Sequence, residues 1–276
     1  MRMPLLVAAL VLVPVVASAR PKDSGKAPAC GVKLLPLVEG NTWTYNAIAA
    51  PVPPPDAIRR LSPEEPKAIT ITVKSVETQD GKTVATLEEK LTIDRTHDPK
   101  KPAIEDLTYE STITCTKDTF DISPNSYYFA GEPGGSLGLE ITNLERLNKG
   151  TSIKLDKKNK VGTKEWRDDL VMQWKRIPAE GSGAELGSGK VELERQITPQ
   201  PIESVTTKSG MMYKSEKLGI ITTGRVTLDN PGNPKAKPME LPANWVSQLW
   251  ISEGTGVVQT LNSYGHMYQL VDTNVK

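Results

Sequence analysis

At 276 residues, with 34 Lys+Arg against 33 Asp+Glu, the chain is long enough for a sizeable core. It carries no global charge that would steer it to nucleic acid or to an anionic membrane surface. Length alone leaves one large β domain or two small ones open. Two cysteines and two histidines exclude a disulfide-dense scaffold and argue against a zinc centre.

Residues 1–19 open with Arg2, run apolar from Leu5 to Val16 and end in Ala17-Ser18-Ala19, the pattern of a secretory signal peptide cut after Ala19. The apolar run falls short of the roughly 20 residues that span a bilayer and contains Pro14, so no transmembrane span is expected. Cys30 follows a polar stretch and does not sit directly behind the apolar run, which argues against a lipid anchor. The expected organisation is a signal peptide (1–19), a flexible arm (20–33) and a single β domain (34–276), exported to the periplasm or the extracellular space. In such a compartment Cys30 and Cys115 are expected to form a disulfide, with free buried thiols as the alternative. The bridge would contribute on the order of 4 kcal/mol in the chain-entropy picture and staple the arm to the sheet.

The first committed structure is Leu34 to Tyr45, where Gly40-Asn41 ends an apolar run. Trp43, Tyr45 and Ala47 then alternate with Thr42, Thr44 and Asn46, as a half-buried strand requires. Its companion is Trp250 to Gln259, so the first and last strands are expected in one core. Residues 51–66, built on Pro53-Pro54-Pro55, read as a polyproline-like excursion. Ile69, Ile71 and Val73 alternate through residues 68–78, and Asp80-Gly81 supplies a tight hairpin turn. The return strand, 82–94, places Ala85, Leu87, Leu91 and Ile93 on one side. Leu107, Tyr109, Ile113 and Cys115 share a face of the next strand.

Residues 123–138 are turn-rich. Ile141, Leu144 and Leu147 fit a short helix closed by Gly150, with irregular structure as the alternative. Lys154, Lys157, Lys158, Lys160 and Lys164 read as a solvated loop. Trp166, Asp168, Leu170, Met172 and Trp174 then fall on one face of a strand. Further strands are expected at 191–198, 204–208, 212–218, 219–229, 245–252, 257–263 and 266–272, with Gly/Ser-rich 179–189 and Pro-rich 230–242 as loops. With no long amphipathic helix and no 20–50-residue repeat, the fold class is all-β: a single antiparallel curved sheet, an open half-barrel or a sandwich, with Pro-rich loops and little helix.

The order Pro36-Leu37…Gly40-Asn41-Thr42-Trp43-Thr44-Tyr45, then Glu203 to Tyr213 with Gly210, then Glu253-Gly-Thr-Gly-Val-Val258 resembles a broad group of bacterial exported proteins of unknown function. Some of these are similar in fold to LolA/LolB-like lipoprotein carriers. The resemblance implies a curved sheet around an apolar cavity and a permissive ligand site. It brings no catalytic motif.

Gly134-Gly-Ser-Leu-Gly138 matches a nucleophile elbow. Glu132-Pro133 stands where a buried strand should precede it, however, so Ser136 reads as a loop residue. No calcium loop and no adjacent acid dyad is legible. Asp168 is different, because an acid on an apolar face must be paired, strand-terminal or facing a wet cavity. Five tryptophans against two phenylalanines suit core packing or a ligand wall. The expectation is an exported, non-enzymatic protein without metal or other cofactor and without nucleic-acid partner. It would bind an apolar molecule such as a lipid at Trp166, Asp168, Leu170, Met172 and Trp174, with another envelope protein as a further partner. A ligand-free structural protein, and less so a carboxylate hydrolase, are the alternatives.

Overall fold

A computed structural model of the chain describes residues 29–51, 65–79, 82–97, 99–129, 139–176, 187–229, 233 and 235–275. The signal peptide, most of the arm, the Pro53–Pro55 core, the Asp80-Gly81 turn, the Ser136 motif, most of the 179–189 loop and residues 230–232 and 234 lie outside the described residues.

Period-two alternation is realised as fourteen strands: β1 (Thr42–Ile48), β2 (Ala68–Gln79), β3 (Lys82–Asp94), β4 (Ile104–Cys115), β5 (Thr119–Ile122), β6 (Leu139–Leu147), β7 (Ile153–Lys154), β8 (Trp166–Arg167), β9 (Asp169–Arg176), β10 (Ser188–Thr206), β11 (Met212–Leu228), β12 (Met239–Ser252), β13 (Gly256–Leu261) and β14 (Met267–Thr273). They form one antiparallel sheet in the order β6-β9-β10-β11-β12-β13-β14-β1-β2-β3-β4-β5-β7, with β8 also on β10. The fold is all-β, and the sheet does not close into a barrel.

The first and last strands pair, Trp43 opposite Thr273 and Ile48 opposite Met267. Trp43 also reaches the β12–β13 turn, donating its indole N–H to the Thr255 carbonyl at 2.6 Å, and the Tyr45 hydroxyl donates to Val257 at 2.9 Å. That turn needs Gly256, whose φ of 93° lies where a side chain is strained. The opposite ends of the strand order also meet. β6 runs into β7 through Asn148 and Lys149, both at positive φ (55° and 54°), and Gly150 donates back to Leu147 at 2.9 Å, the geometry of a type I′ turn. The sheet thus curls until its edges touch without a ladder between them.

Four expectations are corrected. Residues 239–242 of the expected Pro-rich loop belong to β12, which carries Pro242 opposite Arg225 at the start of the strand. The stretch around Ile141 is a strand, not a short helix. A register shift between Ile141 and Asn143 inserts one residue, so Ile141 and Leu144 share a face at a spacing of three, and a bulge imitates the helical period. The expected breaks within 191–208 and 212–229 are absent, because β10 passes Pro199 and Pro201 by shifting register between Gln200 and Glu203 and β11 runs straight through Gly219. The run from Trp166 to Trp174 is split at Asp168 into β8 and β9.

Inside the curl lies a short 3-10 turn, Tyr127–Phe129, all of it buried. Its rings pack on the sheet: Tyr127 on Tyr45 (4.1 Å between centroids), and Tyr128 edge-on to Trp43 (5.8 Å). The Cys30–Cys115 disulfide, with Cα atoms 5.4 Å apart, ties the Ala29–Gly31 turn to the end of β4.

Candidate functional site

β8 and β9 both pair with β10, and the residue between them, Asp168, leaves the named strands while its amide still donates to the Arg195 carbonyl at 3.0 Å. Its side chain points inward and is fully buried. The carboxylate receives the guanidinium of Arg146 from β6 and that of Arg195 from β10, and the Ser152 hydroxyl lies at 3.4 Å. Arg146 also donates to the Ile122 carbonyl at 2.6 Å and the Ser152 hydroxyl at 2.9 Å, so this charge cluster bridges the two edges of the sheet. Arg195 lies over the Phe129 ring, 3.6 Å from its centroid. Burial draws its guanidinium down to about 10, against the pull of Asp168, and it stays charged at neutral pH. Asp121, 3.9 Å from Arg146, is pushed up by burial, partly offset by that arginine. A buried carboxylate gripped by two arginines is a structural charge with no face open to a substrate.

From Asp168 the inward face of β9 runs outward through Leu170 and Met172 to Trp174, which is partly exposed, whereas Trp166 is buried and donates its indole N–H to Thr151 at 2.9 Å. The strand register extends this face across five strands. Opposed residues of an antiparallel pair share a face, so the outermost inward row reads Ile141, Trp174, Gly189, Leu228 and Met239. The next row reads Leu144, Met172, Val191, Val226 and Leu241. Neither row contains a polar side chain. Both stay open: Met239 is 57% exposed, Leu144 38% and Leu241 37%, and Ile141, Trp174, Val191, Val226 and Leu228 are partly exposed. The Trp174 ring lies against Gly189, where a Cβ would come within 2.7 Å of it. Five strands at about 4.8 Å make this surface roughly 19 Å wide.

The other half of the inward face is filled and holds a second buried acid. Glu89 sits in the β3 row Ala85, Leu87, Glu89, Leu91, Ile93 and is fully buried. Tyr109 and Ser111 donate their hydroxyls to it at 2.5 Å, and the Tyr127 amide donates at 2.9 Å. Burial pushes its carboxyl up, against the pull of these donors. Among the described residues no cation pairs with it. The acid pins the Tyr127–Phe129 turn into the curl.

Of the expected site residues, Trp174 is partly exposed at this surface, while Met172, Trp166, Asp168 and Leu170 are buried, Met172 beneath the second row. Arg146, Arg195 and Glu89 escaped the sequence reading, although each signal was present. Arg195 interrupts the alternation Val191, Leu193, Ile197, and Glu89 interrupts Leu87, Leu91. Arg195 and Asp168, opposite charges on two apolar faces, announce a pair, whereas Glu89 is held by hydroxyls and an amide.

Among the described residues no group of three or more His, Cys, Asp or Glu is placed to hold a metal ion. No helix there is long and apolar enough to cross a membrane. An open depression of about 940 Å³ lies at the other end of the sheet, between Lys33, Val38, Asn41, Glu253 and Asn274.

No protein-family profile matches the chain and no curated protein matches it. Among solved structures it is similar to a candidate lipoprotein from Parabacteroides distasonis, at 15% identity and a TM-score of 0.48 over 88% of this chain and 99% of that one. It is also similar to a candidate exported protein with YmcC-like fold from Bacteroides fragilis, at 12% identity and a TM-score of 0.44 over 86% and 96%. Neither likeness is close enough to transfer a fold or a function.

Proposed function

We propose that the chain is an exported, non-enzymatic binding protein that holds a single apolar molecule, an acyl chain, against the open rows of β6, β9, β10, β11 and β12. The observation that carries this reading is that ten inward positions in two rows include no polar side chain and yet nine of them, all but Met172, remain partly open to water. A soluble fold normally covers such a surface or uses it. Its width of about 19 Å compares with the roughly 15 Å that one acyl chain spans in a leaflet, half of a 30 Å hydrocarbon core. Export is supported by the pattern of residues 1–19 and by the closed disulfide, which belongs to an oxidising compartment. The two fully buried acids, Asp168 and Glu89, are sealed from solvent, and that favours binding over hydrolysis.

Lipid extraction and native mass spectrometry of protein purified from its host should find a co-purifying apolar molecule, and the mature chain should begin at Arg20. Fatty acid titrated into the delipidated protein should change tryptophan fluorescence. Val226→Glu, which places a charge in the second row, should abolish that response while leaving the melting temperature within a few degrees. Absence of any extracted lipid together with a flat titration would overturn the reading.

A further inference from the structure

We propose that the lysine-rich hairpin of residues 153–164 is a docking surface for a membrane rich in anionic phospholipid headgroups. Residues 149–164 contain six lysines and one aspartate, a net +5 in a chain of net +1, so the other 260 residues sum to −4. In sequence this is a solvated loop. In the fold it is a built hairpin: β7 pairs with β5, and Leu155 bridges to Val161, both buried. Asp156 accepts the amides of Lys158 (2.7 Å) and Lys160 (3.0 Å), and Asn159 takes the left-handed turn at φ 59°.

The Asp156 carboxylate accepts the turn amides and Glu216 accepts the Val161 amide at 2.9 Å, so both are held on the backbone of the hairpin although they keep their charge. Among the described residues the six lysines make one ion pair, Lys160 with Glu253 at 3.7 Å. The charge is therefore projected outward by a rigid support. No aromatic residue stands among the lysines to stack on bases, and Leu155 and Val161 turn their side chains to the core. That favours a charged plane over a threaded polymer. Each lysine brought to an anionic bilayer adds about five-fold to partitioning at low salt.

The choice of a lipid surface rests on the acyl-binding reading, since such a protein must meet the membrane that supplies its ligand, and the test separates the two. Full-length mature protein is sedimented with phosphatidylglycerol/phosphatidylcholine vesicles and with phosphatidylcholine vesicles alone, at low and high salt. Binding should require phosphatidylglycerol and weaken with salt. It should fall by about a hundred-fold or more in the combined variant Lys154→Gln, Lys157→Gln, Lys158→Gln, Lys160→Gln. It should survive in a control that replaces Lys74, Lys90, Lys175 and Lys190, which lie on other strands. The hairpin variant should keep the fatty-acid response, whereas Val226→Glu should keep vesicle binding. Equal binding by the two lysine variants, no preference for phosphatidylglycerol, or a loss confined to a soluble polyanion such as heparin would overturn the proposal.

Discussion

The two halves of the inward face meet water in opposite ways although the same sheet makes both. Across β1, β2 and β3, Trp43, Tyr45, Ile71 and Leu87 are fully buried, because the Tyr127–Phe129 turn returns into the curl and supplies a second layer. Across β6, β9, β10, β11 and β12 the two outer rows are equally apolar and stay partly exposed, because no described part of the chain returns over them. Curvature alone does not bury a sheet; an apolar face is dry where a second layer meets it. The Asp168 cluster, with Arg195 lying over Phe129 on one side and Leu170 on the other, marks the boundary.

The sharpest way to break this comparison is to truncate a tryptophan in each half. Trp43→Ala should cost about 3 to 5 kcal/mol in urea unfolding, from lost burial and a cavity the aromatic cluster cannot refill. At the boundary, Asp168→Asn should cost about 3 kcal/mol, because two buried guanidinium groups lose their counter-charge. Its signature should be a loss that Arg195→Met partly restores in the double variant. Trp174→Ala should cost within about 1 kcal/mol, as for other partly solvated positions, while weakening fatty-acid binding. A Trp174→Ala loss as large as that of Trp43→Ala would mean the two halves are equally packed and would erase the distinction.

The smallest effect concerns the other acid. The ordinary value for glutamic acid is 4.5 and burial raises that of Glu89, so the native state holds the proton more tightly than the unfolded chain. The stability this contributes is complete below the ordinary value and is lost as pH rises through the native one. Glu89→Gln keeps an acceptor for the Tyr109 hydroxyl and the Tyr127 amide, and should flatten the fall of unfolding free energy as pH rises above the ordinary glutamic acid value. An unchanged slope would assign that pH dependence to other groups.

Much of the architecture was legible because strand signals are local. Alternation around Trp43, Ile71 and Leu87 named both the strands and their buried faces, and Cys115 on an inward face was placed for its bridge. The errors at Ile141 and at Pro201 share a cause, since a register shift changes spacing within a strand and single-strand periodicity cannot see the partner that absorbs it. The candidate surface was half legible. Met172 and Trp174 follow from alternation, but Val191, Val226 and Leu241 join them through cross-strand register, which lies between segments distant in sequence. The ionic cluster was hidden for the same reason, with Asp168 readable as anomalous and its partners 22 and 27 residues away.

The pairing of β1 with β14 has a temporal side. Thr42 accepts a hydrogen bond from Thr273, 231 residues further on, so the strand made first waits for the strand made last. Until then β1 has one edge unpaired and the Trp43 indole lacks the Thr255 carbonyl it will bond to. Closing a contact of that span carries a large loop entropy and slows folding in proteins dominated by non-local pairs. A ribosome or a translocation channel that releases this chain from its N-terminus holds β1 without this partner until β14 has emerged.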